Sequence, residues 1–190
     1  SIAASLACGP LLEKPRPLNL TLAKQLVQQS GVQTPVTLQL ITRSDLPVSQ
    51  QIATVLQGAW QQIGVNVQVQ PLSSAQFENV LEKAQFQAAV QLDGPGVIEG
   101  GYYLRYDMKC GNPYNTTGMC MPAADAILAK AQRTESWPAR KKLWNQLIKI
   151  WLSNSPKIKV YEDENVVVLG KRVESYYYSH LGELRSVSAK

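Results

Sequence analysis

The chain has one histidine, His180, in 190 residues. That argues against a histidine-based metal site and against a Ser-His triad, which draw their ligands or their base from imidazoles. Charge is sparse: 17% of residues are charged and 45% hydrophobic. This is ordinary globular composition, not that of a disordered chain. Lys and Arg outnumber Asp and Glu by 19 to 14, a net charge of +5, but no basic run reaches five residues. Lys141-Lys142 is among the densest stretches, so the charge is weak evidence for nucleic acid. No run of about 18 apolar residues occurs, so no helix is expected to span a membrane. There is no GxxxxGK[ST], and no GxGxxG opens a helix. The chain is long enough to bury a core of its own.

Cysteine is scarce as well: Cys8, Cys110 and Cys120. The last two flank GNPYNTTGM, a stretch of turn-forming residues that brings chain ends together. A disulfide there would close a short loop, worth roughly 2–3 kcal/mol, and would place the protein in an oxidising compartment. Two unpaired thiols in a cytosolic protein is the other reading. Cys8 is left over. The opening SIAASLACGP has small residues before a cysteine, as a lipoprotein cleavage site does. It lacks a basic n-region and a long h-region, and it reads as interior sequence exposed by truncation.

What is present is a regular alternation. EKPRPLN, residues 13–19, is proline-punctuated and extended. Thr21 is expected to cap a short helix on Leu22, Leu26 and Val27, closed by Ser30-Gly31. Val36 to Ile41 reads as a strand, and residues 42–47 as a polar loop opening a helix. That helix buries Val48, Ile52, Val55, Leu56, Ala59, Trp60 and Ile63, and Gly64 ends it. Val65 to Gln70 alternates as a strand with one wet face, and Pro71 stops it. Ser73 or Ser74 caps a helix carrying Phe77, Val80 and Leu81. A strand follows over 86–92. Pro122 starts a helix through Ile127, Leu128 and Ala131. Pro138 lies in the first turn of the next, which carries Leu143, Trp144, Leu147, Ile150 and Trp151 and breaks at residues 153–156. Ile158 to Tyr161 and Val166 to Leu169 are expected strands, and Tyr176 to Tyr178 lie in a polar tail. Strand, helix, strand, helix, strand is the pattern of an α/β fold with a parallel or mixed sheet flanked by helices. Loops at the carboxyl ends of such strands line the ligand crevice. Two loops qualify, 42–47 and 93–103.

The second loop holds Asp93, Gly94, Gly96 and Glu99, then Gly100-Gly101 and the cluster Tyr102, Tyr103, Arg105 and Tyr106. Glycine there lets backbone approach a ligand, or simply turns the chain. Asp93 and Glu99 could form a catalytic pair or meet an ammonium group; two acids in one loop are more often solvated. The tyrosines and Arg105 could stack on a ligand, or cover the sheet edge. In the first loop, Arg43 could fork onto a carboxylate, or pair with Asp45 at the surface.

The order of these segments resembles the solute-binding proteins of oligopeptide and nickel ABC importers, family 5. PLNLTLAKQLVQQSGVQTPVTLQL is similar to their helix, glycine, strand entry. SQQIATVLQGAWQQIGVNVQVQPLSSAQFENVLEKAQFQAAV is similar to their helix, Gly-Val-Asn-Val strand, Phe helix and Phe-Asp-Ala strand. NTTGMCMPAADAILAKAQRTESWPARKKLWNQLIKIW resembles the following Asn-x-x-Gly turn and Pro-x-x-Asp helix, and KIKVYEDENVVVLGKRVESY the closing strands.

The resemblance implies one lobe of a type II periplasmic-binding-protein fold. The chain would be the carboxy-terminal part of a two-lobed protein two to three times longer. Residues 1–35 would be a lead-in segment and short helix, 36–156 the ligand-binding lobe, and 157–190 closing strands and a tail that pack on the other lobe. It implies a monomeric receptor in the periplasm or outside the cell, lipid-anchored in its full-length form. The receptor would hand a peptide-like or other small polar solute to a membrane permease, with no enzymatic activity, no cofactor, no metal and no nucleic-acid partner. It also supports the Cys110–Cys120 disulfide, which some dipeptide-binding members have. The chain departs from the family in one place. Members often carry Gly-Trp and Asp-Tyr-Pro-Asp-Pro in the loop after the third strand, where peptide binders meet the ligand ammonium. Here the tryptophan position falls at or near Asp93 and the aspartate position at about Gly96. Asp93 or Glu99 would have to replace that contact. The alternative to a receptor is a stand-alone α/β domain that binds an acidic protein or nucleic acid through its basic surface. A hydrolase using Asp93 and Glu99 is a third reading.

Overall fold

The computed structural model describes residues 17–92, 100–154, 157, 158, 160, 168–175, 188 and 189. The chain forms two compact units, Ser1–Ile158 and Lys159–Lys190.

The first unit begins with helix α1, Leu20–Gln29. Its cap is Asn19, not Thr21: the Leu22 amide donates to Asn19 Oδ1 at 2.9 Å. Thr21 already lies inside the first turn, so the nearest side chain outside the helix takes the free amide. Gly31, at φ +74, ends the helix in the left-handed conformation that costs glycine least.

Strands β1 (Val36–Arg43), β2 (Val65–Leu72) and β3 (Ala88–Ala89) form a parallel sheet in the order β2-β1-β3. Leu40 stands opposite Val69 on one side and Ala88 on the other. Helix α2 (Pro47–Gln61) joins β1 to β2, and α3 (Ser74–Glu82) joins β2 to β3. Successive side chains of β1 point to opposite faces. Leu40 packs with Ala53 and Val67 on the α2 side, whereas Ile41 packs with Phe77 and Leu81 on the α3 side. The sheet is thus covered on both faces, as parallel sheets are.

Several boundaries differ from those expected. Strand β1 runs on through Thr42 and Arg43, so only Ser44 to Leu46 remain as loop. Pro71 lies inside β2, opposite Thr42. Among the described strands β2 is at an edge, where a missing N–H breaks no ladder. β3 is only two residues long. The Gln39 amide donates to the Gln87 side chain at 2.7 Å, which displaces backbone pairing at that point. The buried residues of α2 are Ser49 and Ala53, with Leu56 and Trp60 partly buried beside them, while Val55 is 70% exposed. Small residues let the helix approach the sheet, so the stripe is not the bulkiest set available. Ser73 caps α3 through a reciprocal capping box with Gln76.

Helices α4 (Gly100–Met108), α5 (Pro122–Arg133) and α6 (Trp137–Asn154) build a second core. Leu104 and Met108 of α4 meet Leu128 and Ala131 of α5 and Trp144, Leu147 and Ile148 of α6. The 93–103 loop reading is therefore corrected from residue 100 onward. Gly100-Gly101 open a helix, and Leu104 and Met108, one turn apart, hold it by packing despite glycine's poor helix propensity.

The second unit contains an antiparallel pair, β4 (Val173–Ser175) and β5 (Ser188–Ala189). Of the two further strands expected, residues 159, 161 and 166–167 lie outside the described residues. Ile158, Val160, Val168 and Leu169 are not in strands.

Candidate functional site

The carboxyl end of β1 is the best-defined part of the expected crevice. The Ser44 amide donates to the Leu72 carbonyl at 2.8 Å, tying the loop to the end of β2. Ser49 Oγ, buried in the first turn of α2, donates toward the Arg43 and Leu46 carbonyls at 3.1 and 2.8 Å. Gln50 Nε2 donates to the Ser44 carbonyl. These bonds fix the backbone from which Arg43 projects.

Arg43 and Asp45 meet each other. Nε lies 3.0 Å from Oδ1 and Nη2 2.6 Å from Oδ2, a two-pronged pair. The hydrogen bond to Asp45 raises the arginine's pKa, and the same bond lowers that of Asp45. The Glu78 charge also favours the guanidinium. Of the two roles open to Arg43, pairing with Asp45 is what this conformation contains. Beside it, Thr42 is fully buried, and its Oγ1 has no hydrogen-bond partner among the described residues. Nothing in a Thr-Arg-Ser-Asp run signals such a hydroxyl, because burial is set by β1 running two residues longer than its pattern shows.

Asp93, Gly94, Gly96 and Glu99 lie outside the described residues. Tyr102 and Tyr103 fall in α4 together with Arg105. The Arg105 guanidinium sits over the Tyr106 ring, 5.7 Å from its centre. Tyr106 in turn packs against Tyr114 at 5.1 Å. Tyr114 comes from the segment between the cysteines, and Cys110 and Cys120 are joined as a disulfide. That loop is strongly ordered from within. Asn115 Nδ2 donates to the carbonyls of Lys109 and Met119. Thr117 Oγ1 donates to the Asp107 carbonyl, and the Cys110 amide donates to Asp125. A depression of about 310 Å³ lies between the end of α4 and this loop. Tyr114 and Lys109 were not singled out as site residues. The signal was there in the Leu104/Met108 spacing, which makes 100–108 a helix and so places Arg105 and Lys109 one turn apart.

Among the described residues no three of His, Cys, Asp and Glu come together to hold a metal ion, and no helix is long and apolar enough to cross a membrane.

The sequence profile of the bacterial extracellular solute-binding proteins, family 5 (middle), matches residues 4–115. That span takes in the whole parallel sheet, α2, α3 and the start of the disulfide loop. The chain belongs to this family. Among solved structures, this family 5 chain is similar to HbpA2 from Haemophilus parasuis, with a TM-score of 0.72 and 23% identity over 80% of this chain and 31% of that one. It is also similar to the murein tripeptide binding protein MppA of Escherichia coli (TM-score 0.66, 22% identity, 75% and 30%). A third is NikA from Staphylococcus aureus, solved in complex with Ni(L-His)2 (TM-score 0.66, 21% identity, 75% and 32%). At these identities the likeness is one of fold, that of type II periplasmic binding proteins. The family 5 chain spans less than a third of the length of each. No curated protein sequence matches it.

Proposed function

We propose that this chain is part of the substrate-binding component of an ABC importer and supplies one wall of a cleft between two lobes. The observation that carries this reading is the family 5 match across the parallel sheet whose carboxyl ends present Arg43 and Asp45. In such sheets ligands bind beyond the strands' carboxyl ends. The solute is peptide-like or another small polar molecule. Arg43, Asp45 and Arg105, the loop residues Asp93, Gly94, Gly96 and Glu99, and Tyr102 and Tyr103 are its proposed contacts. An exposed ion pair is screened by water and adds little. A solute carboxylate can therefore take Asp45's place on the Arg43 fork at little cost.

On this reading 1–35 is the lead-in, 36–156 the binding lobe, and 157–190 returns toward a second lobe supplied by a longer protein. Helix α1 fits that arrangement. Its Leu22 and Leu26 are 48% and 55% exposed, and it buries no residue of its own. A stripe of that kind is normally covered. The receptor acts as a monomer in the periplasm or outside the cell, held by a lipid anchor. It delivers its solute to a membrane permease and neither turns it over nor binds nucleic acid.

The test is a thermal-shift screen of the longer protein and of this chain side by side. The panel is di- and tripeptides, nickel chelates, opines and oligosaccharides. A ligand specific to the folded state adds about 2.7 kcal/mol at a hundredfold excess over its dissociation constant. The longer protein is expected to shift and the 190-residue chain to respond weakly or not at all. No shift in either would remove the solute-binding reading.

A further inference from the structure

The net charge of the chain is not spread evenly. Residues 17–92, which hold the parallel sheet, carry three Lys and Arg against three Asp and Glu. Residues 100–154, which hold the three-helix core, carry eight against three. Two of those three acids are engaged within the protein. Asp107 is buried and faces Lys157 at 2.7 Å, and Asp125 accepts the Cys110 amide. Glu135 is exposed. The helical part therefore presents a basic surface.

That charge gathers toward one end. Helices α5 and α6 pack on each other through Leu128, Ala131, Trp144 and Leu147, and only Thr134, Glu135 and Ser136 join them. So short a link makes them an antiparallel hairpin. Its tip carries Lys130 and Arg133 in the last turn of α5, and Arg140, Lys141 and Lys142 in the first turns of α6. Lys130, Arg133 and Lys142 are exposed. Among the described residues, neither they nor Lys141 enter an ion pair. Trp137 stands at the same tip and is 45% exposed.

The tip is ordered from within. Thr134 Oγ1 donates to the Lys130 carbonyl at 2.8 Å, and Arg140 Nε donates to the Thr134 carbonyl at 2.7 Å. The Trp137 ring lies 5.2 Å from that of the buried Trp144 and nearly perpendicular to it. One end of the indole is thus fixed by the core while the rest stays open to solvent, so little ordering remains to be done on contact.

We propose that this hairpin tip docks on an anionic lipid surface. An indole with an apolar body and a polar N–H settles at the level of lipid head groups. Lys and Arg held beside it are drawn to acidic head groups within a Debye length of the surface. The tip is a projection, and it fits a layer that yields around a ring; an acidic protein would have to bring a cavity for Trp137. Docking of this kind holds the chain at the membrane face whether or not a solute is bound.

The test is co-sedimentation of the 190-residue chain with vesicles, without solute. One set is phosphatidylcholine alone, and in the other about a third of the lipid is phosphatidylglycerol. Binding to the acidic set is expected to exceed binding to the neutral set by at least about tenfold and to fall between about 50 and 200 mM salt. Tryptophan emission should shift to the blue on the acidic vesicles, and Trp137→Phe should remove that shift. Arg133→Gln should weaken binding about fivefold, the factor that one cation near the surface supplies. Lys83→Gln removes the same charge from the sheet part and should change nothing. Far-ultraviolet circular dichroism and thermal midpoints matching the parent check that each variant is folded. Absence of binding to the acidic vesicles, equal binding to both sets, or an equal loss in Arg133→Gln and Lys83→Gln would overturn the inference. So would tighter binding to polyglutamate than to the vesicles, which would assign the tip to an acidic protein.

Discussion

At the carboxyl end of β1, Arg43 is taken up by its neighbour Asp45. Its side chain is bound on two prongs by Asp45, and both groups sit at the surface. The pair holds the Asp45 carboxyl below the usual carboxylate range. A carboxyl with a depressed folded-state pKa contributes stability above its unfolded pKa and loses it as pH falls through the folded value. The contribution here is small because water screens the pair. Carbon-13 titration of Asp45 should give a midpoint below that of the same carboxyl in Arg43→Gln. Coincident midpoints would mean that the pair does not form in solution. Next to it, Thr42 buries a hydroxyl without a partner. Valine has nearly the same shape and nothing to leave unsatisfied, so Thr42→Val should raise stability by about 1 kcal/mol in denaturant titration. A loss of stability would mean that the hydroxyl is bonded. The sequence names Arg43 and Asp45 as neighbours but leaves their pairing open, since nothing local chooses between Asp45 and a ligand.

Among the elements, those with a strict period were legible and those held by distant packing were not. Residues 36–82 alternate so regularly that β1, α2, β2 and α3 emerge with only their ends displaced. Ser73, followed by Gln76 three residues later, is a capping signature that the structure satisfies at both bonds. Ser73→Ala should cost about 1 kcal/mol. Helix α4 was hidden behind Gly100-Gly101, because its stability comes from Leu104 and Met108 in a core shared with α5 and α6. Trp144 anchors that core at 2% exposure. Trp144→Ala should cost about 3–5 kcal/mol in denaturant titration. The disulfide was legible from its turn-rich loop. Replacing both Cys110 and Cys120 by serine should lower stability by roughly 2–3 kcal/mol through loop entropy alone. A double variant as stable as the parent would show that Asn115 and Thr117 hold the loop unaided.

For the whole molecule, the likeness to type II periplasmic binding proteins extends over most of the chain but under a third of theirs. The fold was readable from segment order. The ligand was not, because segment order names no solute and the candidate contacts Asp93 and Glu99 lie outside the described residues. The exposed Leu22 and Leu26 of α1 belong to this scale too, as a face that the proposed second lobe would cover. The most direct test of the proposed receptor role is calorimetric titration of the longer protein with the solute found by thermal shift, at about 50 and 200 mM salt. A closed cleft should give one site per chain and affinities that agree within about twofold, because buried contacts are screened little. Affinity that collapses with salt, as phosphate-backbone contacts do, or the absence of a saturable site, would contradict the account.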